Sequence, residues 1–135
     1  LKMITDMERI GDHAADIADI SLRFDSSPFI KKLEHIPLMA RIASSMVKEG
    51  ITAFVKSDVE SSRETIRRDD EVDSLFETIK QEIIAILTQK PAVADQAVDL
   101  LMIAKYIERI GDHAVNICGW VIFFVTGEHK DKKII

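Results

Sequence analysis

Apolar residues recur at three- and four-residue spacing along nearly the whole chain, the period of one face of an α-helix. Strand-like alternation is absent over any useful length. The pattern predicts four helical segments. The first runs from about Leu1 to Arg23 and stops near Asp25-Ser26-Ser27-Pro28, a cluster of turn formers. The second starts near Pro37, a residue suited to a first helical turn, and carries Leu38, Met39, Ile42, Met46 and Ala53 on one face. Gly50 lies inside it and is expected to weaken it by about 1 kcal/mol relative to alanine. Ser57-Asp58-Val59-Glu60 has the form of a capping box and sets the start of the third helix. That helix runs to about Gln89 on a stripe of Val72, Phe76, Ile79, Ile83 and Ile86/Leu87, and Lys90-Pro91 breaks it. The fourth runs from about Val93 to Val125 and closes at Gly127. Long helices joined by short turns pack as antiparallel neighbours, so the expected fold is an all-α antiparallel bundle.

Superimposed on this periodicity is a repeat. Glu8-Arg9-Ile10-Gly11-Asp12-His13-Ala14 is identical to Glu108-Arg109-Ile110-Gly111-Asp112-His113-Ala114, at an offset of 100 residues. The flanks match in character: Met3/Ile103, Met7/Ile107, Ala15/Val115 and Ile17/Ile117 stay apolar. Internal duplication is the simplest account. If each unit is three helices with the motif on its last, residues 1–24 are the last helix of a truncated first unit. Residues 25–36 are then a linker, 37–127 a complete second three-helix unit, and 128–135 a charged tail that frays.

Composition narrows the class. A chain of 135 residues is long enough for one modest domain with a core, and 47% hydrophobic with 30% charged residues excludes wholesale disorder. A net charge of −5 argues against nucleic acid or anionic lipid as a partner. Five glycines and three prolines are too few for the turns of an all-β fold. The single cysteine, Cys118, excludes an internal disulfide and a Cys-rich zinc site, and fits a reduced intracellular chain. The start does not read as a signal peptide. The longest apolar run, Ile117 to Val125, is under half of the roughly 20 residues a membrane span requires.

The repeated motif carries the candidate chemistry. Glu108 and Asp112 are four apart, as are Glu8 and Asp12, so each pair projects to one side of its helix, one turn apart. Like charges placed so repel, and something must offset them. A helical wheel puts Leu100, Ile107, Gly111, Val115, Cys118 and Ile122 on the core stripe, Glu108 and Asp112 on its margin, and Arg109 and His113 further out. Gly111 lets a neighbouring backbone or a ligand come close. On the third helix Asp69 and Asp73 are also four apart and flank the Val72/Phe76 stripe. Antiparallel packing of the third and fourth helices would converge four carboxylates at one seam. Such hard oxygen ligands without cysteine select Mg²⁺, Mn²⁺, Ca²⁺ or iron over a structural zinc. Against this, acids on a helix margin are commonly solvated, and Arg9 and Arg109 offer plain salt bridges. The duplication of Glu-x-x-x-Asp with its intervening glycine favours a site. The wheel turns His13 and His113 outward, each bonding to a neighbour, the alternative being metal ligands or groups bonded to one. Cys118 reads as an inert core thiol, and Trp120, Phe123 and Phe124 as core or interface. His35 and His129 are assigned no role.

Two copies of Glu-Arg-Ile-Gly-Asp-His-Ala closing three-helix units, with Arg-Asp-Asp-Glu-Val-Asp-Ser-Leu (residues 68–75) on the helix between, resemble the PhoU family of phosphate-uptake regulators, from Leu1 to about Glu128. The resemblance implies two three-helix bundles, with multinuclear iron or zinc clusters (Mg or Mn being alternatives) on Glu/Asp-x-x-x-Asp motifs. Its ligands would be Glu108, Asp112, Asp69 and Asp73 for the second cluster, with Glu8 and Asp12 as half of the first. It implies a cytoplasmic, often homodimeric, non-enzymatic protein. Such a protein restrains the phosphate-starvation response between the phosphate ABC transporter ATPase and a sensor histidine kinase. The chain departs from the family in lacking two upstream helices, and in having Asp16 where the second copy has Asn116. Two other readings are a di-metal carboxylate oxidoreductase and the cytosolic PhoU-like domain of a sodium–phosphate cotransporter. In the first, histidine should follow glutamate by three, and here it follows by five.

Overall fold

A computed structural model describes residues 2–23 and 34–127. Most of the expected linker, and the expected tail with His129, lie outside the described residues. The described chain forms five α-helices: α1 (Lys2–Ser21), α2 (His35–Lys56), α3 (Val59–Arg67), α4 (Asp69–Gln89) and α5 (Ala94–Thr126), with a 3₁₀ turn at Pro91–Val93. The all-α expectation holds.

Helix ends follow local chemistry, with two differences from expectation. Ser57 is not the N-cap of the next helix. It closes α2 in the left-handed conformation (φ 53°), and Asp58 caps α3, its Oδ1 accepting from the Ser61 N–H at 3.0 Å. The Asp58 carboxylate, one residue closer to α3 than the Ser57 hydroxyl, serves the exposed α3 amides directly, and an acidic side chain is favoured at the positive end of a helix. The second difference is that the predicted third helix is two. At Arg68 the ladder tightens, its N–H reaching Thr65 O at 3.1 Å, and α4 restarts at Asp69. The Arg68 side chain is pulled back to α2, bonding Glu49 Oε2 at 2.6 Å and Ser45 Oγ at 3.0 Å. No proline or glycine marks this joint. The Pro91 break and the Gly127 stop (φ 73°) stand as read.

α2, α4 and α5 form an antiparallel bundle with α3 leading into α4. His35 meets Glu82 while Arg68 meets Ser45, so α2 runs against α4. Gly111 lies over Val72 while Lys105 lies over Phe76, so α4 runs against α5. Met39, Met46, Val72, Ile79, Ile83, Ala104, Ile107 and Ala114 fill the centre. Each large side chain among them stabilises by roughly 1.5–3 kcal/mol. Gly50 faces Cys118 Sγ and Ile117, so the glycine that weakens α2 also brings it close to α5.

α1 touches only α5 among the described helices, and runs against it. Met3 packs on Ile117 and Val121, and Arg23 pairs with Asp99 at 3.0 Å. α5 is therefore covered on two sides. This corrects the single-stripe wheel: Ile103, Ala104, Ala114, Ile117 and Val121 are buried beside Ile107, Gly111 and Cys118, whereas Leu100, Val115 and Ile122 are only half-buried.

Candidate metal centre

The joint at Arg68 places three acids, Asp69, Asp70 and Glu71, in the first turn of α4, where the helix dipole favours negative charge. Asp69 and Asp73 then stand one turn apart on the side facing α5. Gly111 supplies the close approach: a Cβ there would lie 3.6 Å from both Asp69 Oδ1 and Val72 Cγ1. The next residue of the motif, Asp112, joins the pair. One carboxylate oxygen from each of Asp69, Asp73 and Asp112 lies within 4.8 Å of the others.

Like charges this close oppose one another. Asp69 Oδ1 is buried and has no hydrogen-bond partner. Burial, then the charges of Asp73, Asp112, Glu108 and Asp70, push the Asp69 carboxyl up to about 7. Three hard oxygen donors with one orphaned buried acceptor fit a divalent or trivalent cation of the iron, manganese or magnesium type.

Glu108 is near enough to act on Asp69, but it stands apart from the trio. Its Oε1 accepts from Lys105 Nζ at 2.7 Å. Glu8 and Asp12 are exposed on α1, with Asp12 3.9 Å from Arg9. A Cβ on Gly11 would meet nothing within 4 Å. Of the six sequence-derived ligand candidates, then, the fold brings three together (Asp69, Asp73, Asp112), holds Glu108 beside them, and leaves Glu8 and Asp12 facing outward.

His113 does bond a neighbour, but the outward placement of both motif histidines is wrong. His13 and His113 are buried between α1 and α5, their rings stacked with centroids 5.6 Å apart. His113 Nδ1 lies 2.8 Å from Asp6 Oδ1, which also accepts from Asn116 Nδ2 at 3.1 Å. His13 stacks on Tyr106, the residue matching Asp6 in the repeat, at 5.4 Å, and its Nδ1 lies 3.7 Å from Asp16. Burial, then His113 and Arg109, pull the His13 imidazole below its usual range, against the opposing pull of Asp16. The reason is geometric: two residues further along a helix is about 200° around it, so if Gly111 faces α4, His113 faces away from it, toward α1. The buried Asp6 partner was not recognised in the sequence. The signal available was an aspartate, Asp6, between the matched apolar positions Met3/Ile103 and Met7/Ile107, where the second copy has Tyr106. Elsewhere, His35 bonds Glu82 at 3.1 Å, and burial pushes the Cys118 thiol up to about 11, as suits an inert core position.

These features define a helical-bundle protein built on a duplicated acidic motif, one copy of which meets two aspartates of the neighbouring helix. Known proteins share this sequence and fold. The PhoU domain model matches residues 36–121. The chain is 35% identical over 131 residues to the phosphate-specific transport system accessory protein PhoU homolog of Clostridium acetobutylicum, covering 97% of this chain and 60% of that protein. It is 38% identical over 122 residues to PhoU homolog 2 of Thermotoga maritima, covering 90% of this chain and 52% of that one. The crystal structure of the phosphate transport system regulatory protein PhoU from Streptococcus pneumoniae superimposes with a TM-score of 0.86 at 26% identity, over 96% of this chain and 61% of that one. The chain belongs to the PhoU family. It spans between half and two thirds of the length of these relatives.

Proposed function

We propose that this chain is part of a cytoplasmic, homodimeric negative regulator of phosphate uptake and of the phosphate-starvation response, acting between the phosphate ABC transporter and a sensor histidine kinase. In it Asp69, Asp73 and Asp112, with Glu108 alongside, hold a cation. The names of the relatives support the phosphate-transport half of this reading. The observation that carries the cation half is the convergence of three carboxylates on a buried, unpartnered Asp69 oxygen. Iron, zinc, manganese or magnesium are the candidates. A bound ion would neutralise the trio and clamp α4 to α5, a structural or sensory role with no turnover. Among the described residues, no helix is long and apolar enough to cross a membrane.

The repeat extends the reading to α1. Its exposed face carries Ile4, Met7, Gly11, Ala14 and Ala18. The matching α5 residues, Ala104, Ile107, Gly111, Ala114 and Cys118, are all buried against the other helices of the bundle. In this reading α1 closes a first three-helix unit, and Glu8 and Asp12 are half of that unit's own cation centre.

Metal analysis of the purified protein and of Asp69→Ala with Asp112→Ala tests the centre. Equal metal content in both would overturn the ligand assignment. Capture of the transporter ATPase or of the kinase tests the regulatory role, and failure to capture either would overturn it.

A further inference from the structure

We propose that Lys105 and Arg109 form a binding site for a phosphoryl dianion beside the carboxylate trio, a site that opens when the trio holds a cation. The proposal rests on the cation reading above. On the face of α5 a hollow of about 240 Å³ is lined by Lys105, Arg109, Asp112 and His113. In a chain with a net charge of −5, two of these four are basic side chains gathered one turn apart. His113 is fixed in place through its Nδ1 contact with Asp6.

Asp112 belongs to both the hollow and the trio, and this links the two. With no cation on the trio, the Asp112 charge opposes an anion, and Lys105 is engaged by Glu108 at 2.7 Å. A cation held by Asp69, Asp73 and Asp112 neutralises that opposition and attracts Glu108, which already acts on Asp69. Lys105 Nζ is then released toward the hollow beside Arg109. An arginine fork next to an ammonium and a hard cation is the combination that suits a phosphoryl group, through charge-assisted bonds on several oxygens. The first repeat keeps Arg9, Asp12 and His13 but has Thr5 in place of Lys105, so the paired cations belong to the second copy alone. Linkage requires that phosphate strengthen cation binding by the factor by which the cation strengthens phosphate binding.

The test uses the full chain, loaded with Mn²⁺ or treated with chelator, titrated with inorganic phosphate and separately with a phosphoserine peptide. The Mn²⁺ form should bind a phosphoryl probe at least tenfold more tightly than the chelated form. Lys105→Gln with Arg109→Gln should lose at least tenfold in that binding while keeping its Mn²⁺ content and helical circular dichroism. Tighter binding of inorganic phosphate identifies the free anion as ligand. Tighter binding of the peptide identifies a protein-borne phosphoryl group. Unchanged phosphoryl binding in the double variant overturns the site. So does failure of both probes on protein that retains Mn²⁺, and the cation reading then stands. Failure to retain Mn²⁺ together with failure of both probes overturns both.

Discussion

Asp6 Oδ1 and His113 Nδ1 meet at 2.8 Å across the seam between α1 and α5, although they are 107 positions apart in the chain. Both side chains are buried, and Asn116 donates to the same aspartate oxygen. This contact ties one copy of the repeated motif to the helix that carries the other. Asp6→Ala would strand two buried donors and should destabilise the protein by about 2–3 kcal/mol. Chemical denaturation followed by circular dichroism measures it. A loss below about 0.5 kcal/mol would show that the seam tolerates an unpaired histidine.

The Asp69 carboxyl sets a pH dependence with a definite sign. Its affinity for a proton is raised to about 7 in the folded, cation-free protein, well above the usual carboxylate range. The folded state therefore holds a proton that the unfolded state has already released, and its contribution to stability falls as pH rises from about 4 through 7. Solvent screening at this half-buried position limits the effect to about 1–2 kcal/mol. Asp69→Asn should flatten that slope and make the chelated protein more stable than the parent at pH 8, as read by thermal melts at several pH values.

Cation binding should show the opposite trend. The ion must displace the Asp69 proton, so its affinity should weaken as pH falls below about 7. Equilibrium dialysis of Mn²⁺ at pH 5.5 and 8 compares the two states. Equal affinities would mean that Asp69 does not ligate.

Gly50 offers a test of packing that leaves the carboxylates alone. A methyl group there would stand 3.4 Å from Cys118 Sγ and 3.5 Å from Ile117 Cγ2. Gly50→Ala should be accommodated and recover up to about 1 kcal/mol of helix propensity. Gly50→Leu should overpack the α2–α5 contact and cost about 1–3 kcal/mol. The two variants should melt on opposite sides of the parent.

The all-helical pattern, the Pro91 break, the Gly127 stop and the duplicated acidic motif are legible in the order of residues alone. These depend on the period of apolar residues and on the backbone limits of proline and glycine, which act within a few residues. That order also put Asp69, Asp73 and Asp112 on facing margins, because antiparallel neighbours bring matching margins together. Three features became visible only in the folded chain: Glu108 turns to Lys105, the third helix divides at Arg68, whose side chain reaches Glu49, and both motif histidines are buried. A helical wheel assumes one buried face. α5 has two, because α1 covers the side opposite α4, and which neighbours cover a helix is set by contacts between residues as far apart as Asp6 and His113.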